Sequence, residues 1–357
     1  MLTTTATNLP RLMNCNGSRL MPPSFPVTFD DTTDRDEGNA AHAMGQLAYL
    51  GQPLDDLIGT KAYNGVTMTG EMADHVSYYL SQLRPGAMEL ETSFGTDDYR
   101  VSARADHIAY DAIANDLYVT DFKYGHRLVD VEWNWTLVAH AIGYCIFHSV
   151  APTRIIFQIV QPRAYHPDGH SRSWIITYDV LLQLHASIHA TLTNPSDTLQ
   201  TGLSWCATCP ALATCPAARS ANMNAIDAMT VAFSDDLPDD LLGFELDMLS
   251  NAQGIIDARL DALKELVSHR LRTGKVIEGY ALEPQLANTR WIKGITGKAL
   301  TAASRIDCTK DGIITPAEFK RRGGSESVYK ALTERPTTGV KLVRSSADKR
   351  ARRLLGK

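Results

Sequence analysis

An aspartate and a lysine stand one residue apart in the segment TDFKYGHR, residues 120–127, where an apolar run ends. Residues i and i+2 of a β-strand point to the same face, so Asp121 and Lys123 are predicted to share one side while Phe122 points into the core. Asp106 lies on the preceding predicted strand, and a tight hairpin would bring it beside Asp121. The sequence therefore predicts two carboxylates and an ammonium group at one site.

This combination of groups is suited to chemistry on a phosphate. Two carboxylates at neighbouring strand ends form a hard oxygen site of the kind that Mg²⁺ and Mn²⁺ prefer, and these ions also accept phosphate oxygens. The Lys123 ammonium would stabilise charge that develops on the phosphate, or help to orient and deprotonate the attacking water. A lone D-x-K pair also occurs on exposed sheet faces, but His42 on a predicted helix offers an imidazole ligand. Glu89 and Glu91, on the polar face of a predicted strand, offer further carboxylates.

The composition describes a globular chain without an excess of positive charge. It has 357 residues, of which 44% are hydrophobic and 21% charged, enough for one large domain or two ordinary ones. The formal net charge is -5, so binding to a polyanion would need local clusters of Lys and Arg. We find no apolar run of membrane-spanning length and no signal-peptide pattern, and therefore expect a cytoplasmic protein without membrane contact.

Three of the six cysteines lie close together in the segment CATCPALATC. Cys206, Cys209 and Cys215 have the spacing C-x2-C-x5-C, and a pair of cysteines with two residues between them can direct two thiolates at one metal. In a reducing cytosol such cysteines are thiols or metal ligands rather than disulfides. A fourth ligand must come from elsewhere in the chain.

The elements that would position these groups alternate between helix and strand, which predicts an α/β fold. Helices are predicted up to Leu50 and from Gly70 to Leu83, and the chain is mostly helical from Leu181. The predicted strands are AMELETSF, YRVSARADHIAY, DLYVTDFKY, TRIIFQIVQPR and SWIITYDV, with a buried helix, VEWNWTLVAHAIGYCIFHS, between the third and the fourth.

The order of these motifs resembles the PD-(D/E)XK nuclease superfamily. Within it, the chain is similar to RecB-like exonucleases of the iron–sulfur type, as in AddB and the CRISPR-associated RecB-like nucleases, in a phage-encoded branch. The resemblance spans nearly the whole chain. It implies a restriction-endonuclease-like fold, with a mixed central sheet flanked by helices and a four-cysteine metal cluster, over residues 1–220. A helical and mixed C-terminal region, residues 221–357, would serve DNA binding or oligomerisation.

The resemblance also implies roles for individual residues. The metal ligands would be His42, Asp106, Asp121 and the backbone carbonyl of Phe122. Lys123 would be the catalytic lysine. Glu91 would be a further catalytic carboxylate, although Glu89 lies on the same predicted face.

The family places one cysteine before the histidine motif and three after the core. Cys15 takes the first position, so Cys15, Cys206, Cys209 and Cys215 would hold a [4Fe-4S] cluster, with Zn²⁺ as the alternative.

The predicted DNA contacts are weaker. The family often has Gln and Tyr one turn apart on the helix after the lysine, where this chain has Thr136 and His140, and Tyr144 could substitute for them. Further phosphate contacts are expected from Arg163, Lys320, Arg321 and Arg322, and from the basic end DKRARRLLGK.

The sequence thus predicts an exonuclease that depends on Mg²⁺ or Mn²⁺ and acts on linear DNA, single- or double-stranded, in phage DNA replication or recombination. A phage single-strand-binding or annealing protein and a homo-oligomer are further expected partners, in the cytoplasm of a host cell if the chain is phage-encoded. The alternative is a catalytically inactive DNA-binding or assembly protein of nuclease ancestry.

Overall fold

The computed structural model describes residues 1–24, 33–228, 239–309 and 313–344. The predicted basic end, DKRARRLLGK, lies outside these residues. The chain divides into two compact units, Met1–Arg259 and Leu260–Lys357. This division falls later in the chain than the expected one at residue 220, and it lies within a long helix, Asp239–Arg272.

The first unit is an α/β structure. Its strands are β1 (Leu2–Thr5), β2 (Ala87–Gly95), β3 (Tyr99–Asp111), β4 (Asp116–Phe122), β5 (Arg154–Val160) and β6 (Ser171–Thr177). Its helices are α1 (Leu9–Asn14), α2 (Thr33–Tyr49), α3 (Leu54–Leu57), α4 (Gly70–Ser81), α5 (Trp135–His148), α6 (Tyr178–Thr193), α7 (Leu203–Cys206) and α8 (Pro216–Ala228); helix α9 (Asp239–Arg272) begins in this unit.

The six strands form one mixed sheet, with the order β1-β3-β4-β5-β6 and with β2 paired to β3. The pairs β1/β3 and β4/β5 are parallel, and the pairs β2/β3, β3/β4 and β5/β6 are antiparallel. The predicted α/β fold with a mixed central sheet flanked by helices is therefore confirmed. The expected hairpin is also present, since β3 and β4 are joined by residues 112–115 and pair from Asp111/Asp116 to His107/Thr120.

Apolar side chains form a core on each face of the sheet. On one face, α1, α5 and α6 pack on residues such as Val101, Leu117, Val119 and Phe157. Helix α5 is buried along most of its length, which agrees with its continuous apolar sequence. On the other face, α2 and α4 pack around Phe122. The end of β4 thus lies between the two helical layers.

Strand β3 changes its neighbour along one edge. Tyr99–Ser102 pair with β1, and His107–Asp111 pair with β4, while β2 runs along the opposite edge. In the part of the chain that the structure describes, residues 103–106 have no strand partner on the β1/β4 edge. Asp106 lies at the end of this gap, beside the end of β4.

The second unit has a small core of its own. It contains β7 (Tyr280–Leu286), β8 (Arg290–Trp291), α10 (Gly297–Ser304), α11 (Pro316–Arg321), α12 (Glu326–Leu332), β9 (Thr333–Glu334) and β10 (Thr337–Arg344). Leu300, Cys308, Ile314 and Phe319 form this core. Across both units, none of the described helices has the length and hydrophobicity needed to span a membrane.

Candidate metal centre

A histidine and two carboxylates from three elements meet at one point. The possible ligand atoms of His42 in α2, Glu89 in β2 and Asp106 in β3 all lie within 4.8 Å of one another. His42 Nδ1 is 3.4 Å from Asp106 Oδ1. One imidazole nitrogen and two carboxylates form a donor set that suits a divalent cation such as Mn²⁺ or Mg²⁺.

Packing and one hydrogen bond fix two of these ligands. Helix α2 buries Ala40, Ala41 and Met44 in the core that it shares with α4. In the same turn, His42 lies edge-on to the ring of Phe122, with ring centroids 5.4 Å apart. The Asp106 carboxylate accepts a hydrogen bond of 2.8 Å from the Phe122 backbone N–H. Phe122, at the end of β4, therefore contacts both Asp106 and His42.

The third member of this group is Glu89, and Glu91 lies elsewhere. Glu89 has φ 54°, in the left-handed region, and β2 changes face there: Met88 packs on the α2/α4 core and Leu90 on the opposite core. The prediction that both glutamates share a face assumed uninterrupted alternation. Glu91 pairs in register with Arg104 and lines a different cavity. A left-handed non-glycine residue is costly, and such strain is concentrated at functional sites.

Asp121 and Lys123 form a close ion pair next to this group. Lys123 Nζ is 2.7 Å from Asp121 Oδ2, and the Asp121 side chain is buried. The pairing of His107 with Thr120 places Asp106 opposite Asp121, as the hairpin predicted. Asp121 is not a member of the three-residue group, since its carboxylate interacts with Lys123 instead. Phe122 is buried and stacks on Tyr79.

The pKa of Lys123 indicates how this side chain could act. Burial lowers the pKa of Lys123, but the charges of Asp121 and Asp106 and the hydrogen bond to Asp121 outweigh burial, so the pKa is raised. The side chain is therefore an ammonium cation at neutral pH. An ammonium group can stabilise negative charge but cannot accept a proton.

Burial and neighbouring carboxylates raise the pKa of two groups at this site. Burial raises the pKa of Asp106, and Asp121 raises it further, while His42 and Lys123 act in the opposite direction. Burial also raises the pKa of Tyr79, and the charges of Asp106, Asp121 and Glu89 add to this shift. A bound divalent cation would relieve this repulsion, so the residues present fit such an ion.

The group opens into a cavity of about 260 Å³. The lining residues are Asn39, His42, Ala43, Gln46, Tyr63, Glu89, Arg104 and Asp106. A second cavity, of about 760 Å³, is lined by Glu91, Arg100, Arg104 and His140 among others. Arg104 lines both cavities, and its guanidinium is 3.1 Å from the Glu89 carboxylate.

In helix α5, which follows Lys123, the side chains expected to contact DNA face other parts of the protein. Thr136 donates a hydrogen bond of 3.4 Å to the Ala6 carbonyl. Tyr144 packs against the core, with its ring beside those of Tyr110 and His148. His140 is buried, and burial lowers its pKa to about 4, so the imidazole is neutral. Within the described residues, His140 Nδ1 has no hydrogen-bond partner.

The predicted basic contacts are paired with acids. The Arg163 guanidinium is 3.0 Å from Glu37 and lies over the ring of Tyr124. In the second unit, Lys320 lies 3.4 Å from the Glu326 carboxylate, and Arg321 and Arg322 both contact Glu318. A phosphate would have to compete with these carboxylates.

The four predicted cluster cysteines line one small cavity, together with residues such as Arg11 and Trp205. The backbone N–H of Gln200 donates to Cys15 Sγ at 3.3 Å, and that of Gly202 donates to Cys206 Sγ at 3.5 Å. The thiols are free, and they do not form a group as compact as His42, Glu89 and Asp106 among the described residues. The metal cluster therefore stays a prediction.

Comparisons with known proteins give a family but no activity. A family model described as "Protein of unknown function (DUF2800)" matches residues 5–351. No curated protein matches the chain. Among solved structures, seven chains match. One of them, described as "Crystal structure of SSO0001", is 15% identical with a TM-score of 0.29, over 61% of this chain and 87% of that chain. A likeness at that TM-score carries no argument about fold or function.

Proposed function

This chain belongs to the DUF2800 family, and from its site we propose that it is a divalent-metal-dependent deoxyribonuclease, an exonuclease of the PD-(D/E)XK type that acts in phage DNA replication or recombination. One observation carries the proposal: His42, Glu89 and Asp106 converge beside the end of β4, where Asp121 holds Lys123. The RecB-like motif order in the sequence supports the same assignment.

Each residue of the site has a distinct role in this proposal. His42, Glu89 and Asp106 would hold a Mg²⁺ or Mn²⁺ ion, with the Phe122 carbonyl and Asp121 as the further ligands that the resemblance implies. When bound, such an ion supplies Lewis-acid activation of water and neutralisation of phosphate charge. Lys123, held by Asp121, stabilises the charge that builds up on the phosphate during cleavage.

Asp121 limits the mobility of the lysine. Its carboxylate is buried and 2.7 Å from Lys123 Nζ, whereas about a third of the Lys123 side chain is exposed. A cation fixed in advance needs little reorganisation when charge develops beside it, which is the basis of electrostatic catalysis. Asp121 therefore both raises the pKa of Lys123 and orients its ammonium group.

We further propose a [4Fe-4S] cluster, with Zn²⁺ as the alternative, on Cys15, Cys206, Cys209 and Cys215. Backbone N–H groups already donate to two of these sulfurs, and such bonds favour the thiolate that a metal requires. Burial raises the pKa of Cys206, and the other three cysteines raise it further, so its thiolate form would need a bound cation nearby. The ligands would tie residue 15 to residues 206–215, and folding of the first unit would depend on the metal.

A second candidate function is DNA binding or assembly without catalysis. Thr136 and His140, which depart from the family pattern, favour it, because Thr136 donates to the Ala6 carbonyl and His140 is buried. The intact carboxylates and lysine support the nuclease instead, since a protein that only binds DNA has no chemical need for them.

The test is cleavage of end-labelled linear and closed circular DNA, single- and double-stranded, with Mg²⁺ or Mn²⁺. The variant is Asp106→Asn, which can still accept the Phe122 hydrogen bond, and the matched control is Asp97→Asn, at an exposed aspartate. We expect metal-dependent loss of linear DNA with wild type and the control only. Absence of cleavage by folded, metal-replete wild type would favour the binding or assembly function.

A further inference from the structure

An exposed tyrosine stands at the mouth of the metal cavity. Tyr63 lines the same cavity as His42, Glu89 and Asp106, yet its side chain is 81% exposed. A large aromatic ring in water provides no packing energy to the fold. Its position beside the metal ligands therefore calls for a role outside the folded chain.

The turn that carries Tyr63 is firmly built. The Gly65 N–H donates to the Ala62 carbonyl at 2.9 Å, and the Ala62 N–H donates to Val66 at 2.8 Å. Gly65 has φ +82°, a conformation that glycine adopts without strain. A bridge between Lys61 and Thr67 closes the turn. Tyr63 is thus presented at the tip of an ordered turn.

The turn is also attached to the helix that carries a metal ligand. Asn64 donates a side-chain hydrogen bond of 2.7 Å to the Asp36 carbonyl in α2, six residues before His42. Ala62 and Met68, on either side of the tip, are buried in the core that contains α2 and α4. These contacts fix the backbone of the turn with respect to His42, so little backbone entropy is lost when a ligand stacks on the Tyr63 ring.

We propose that Tyr63 stacks on a nucleobase of the nucleotide whose phosphate lies at the metal centre. This inference rests on the proposed nuclease function and names its substrate class: a DNA strand whose base beside the scissile phosphate is unpaired. Every base has an apolar face that an aromatic ring can cover, so the contact tolerates any sequence. Inside a duplex both faces of a base are covered by its neighbours, so only a single strand or a frayed end offers one.

The neighbouring groups agree with a nucleotide in this position. Asn39 and Gln46 line the cavity and offer amide donors and acceptors for a sugar or a base edge. Arg104, on the cavity wall, offers a cation for the next phosphate when a metal ion takes over the charge of Glu89. The cavity thus provides an aromatic ring, amides and a guanidinium at one site.

The experiment measures stacking separately from cleavage. Single-stranded oligonucleotides with terminal 2-aminopurine are titrated with the full-length protein in Ca²⁺, and both the fluorescence quenching and the dissociation constant are recorded. The variants are Tyr63→Leu and Tyr63→Phe. Tyr165→Leu is the matched control, at a tyrosine that is 87% exposed and absent from the lining of the metal cavity.

We expect wild type, Tyr63→Phe and Tyr165→Leu to quench the fluorophore alike. Tyr63→Leu should lose the quenching and bind about 5- to 100-fold more weakly, as expected when one base loses its stacking partner. It should also lose the preference of wild type for a terminal base over an abasic terminus. Because Tyr63 is exposed, the Tyr63→Leu variant should unfold at the same temperature as wild type.

The failures of the two proposals are distinguishable. Cleavage by wild type, together with unchanged quenching and affinity in Tyr63→Leu, would overturn the role of Tyr63 and leave the nuclease intact. Quenching that depends on Tyr63 in a protein that cleaves no DNA would refute the nuclease and support the stacking contact.

Discussion

Replacing Glu89 by glycine should leave the stability of the fold about unchanged and remove DNA cleavage. Replacing Glu91 by glycine should lower the stability and leave DNA cleavage intact. A left-handed conformation costs a non-glycine residue about 1–2 kcal/mol, and glycine avoids this cost. Glu89 has φ 54°, whereas Glu91 is not among the residues with positive φ. The entropy cost of a glycine, roughly 0.5–1 kcal/mol, is shared by both variants and cancels between them.

Two smaller effects modify this difference. The ion pair between Glu89 and Arg104 is lost, and because Arg104 is largely exposed the loss costs about 0.2–1 kcal/mol. The repulsion between Glu89 and Asp106 is removed as well, which acts in the opposite direction. We therefore expect Glu89→Gly to be about 1 kcal/mol more stable than Glu91→Gly in metal-free protein.

The assay is urea unfolding in EDTA, combined with DNA cleavage in Mg²⁺ and Mn²⁺. Loss of a metal ligand should lower cleavage by Glu89→Gly at least about 10- to 100-fold, as disruption of metal coordination does. Glu91→Gly should retain activity within a few-fold. The reasoning is refuted if Glu89→Gly is the less stable variant, or if Glu91→Gly is the inactive one.

Three further results are expected. Lys123→Ala should lower kcat about 100- to 1,000-fold with little change in DNA affinity, because the lysine acts on developing charge; unchanged turnover would remove this role. Cys209→Ser should lose bound metal and much of the yield of folded protein, and also the visible absorption band if the metal is iron. Cys145→Ala, the control, should keep the metal. Equal metal content in the two variants would contradict the cluster. Arg154→Ala should destabilise the protein at neutral pH but not in strong acid, because Arg154 holds the pKa of the buried Asp116 below its usual value. This stabilisation is present above the ordinary aspartate pKa and is lost as the pH falls through the lowered one, so a difference between wild type and variant that grew on acidification would be inconsistent with it.

Sequence patterns predicted five of the six strands of the sheet and the meeting of Asp106 with Asp121, but they did not predict β1. Alternating strands joined by a tight hairpin predicted that Asp106 would lie beside Asp121, and the pairing of His107 with Thr120 agrees. The contact between Asp121 and Lys123 followed from the two-residue period of a strand. These features depend on local geometry, which sequence patterns report directly.

The sequence could not identify Glu89 as the residue of the ligand group. Its side chain reaches the group because one backbone dihedral reverses the face of β2, and no residue type at that position signals a left-handed conformation. A glycine or an asparagine there would have been such a signal. The choice between Glu89 and Glu91 therefore depended on tertiary structure.

The partner of Arg163 was also beyond local patterns. Arg163 follows a strand and looks free in sequence, but Glu37 reaches it from α2, more than a hundred residues earlier. Tyr63 gave no pattern at all, since a lone tyrosine in a turn becomes informative only when the cavity beside it is known. Contacts between distant parts of the chain decide which side chains remain available to a ligand.

The central claim is that His42, Glu89 and Asp106 form a metal centre, and Mn²⁺ binding followed by electron paramagnetic resonance tests it most directly. Titration of wild type, Asp106→Asn and Asp97→Asn compares loss of a ligand with loss of an exposed carboxylate at equal charge. The account predicts that wild type and Asp97→Asn bind Mn²⁺ with the same affinity and that Asp106→Asn binds it at least about tenfold more weakly. Equal Mn²⁺ binding by all three proteins would contradict the account.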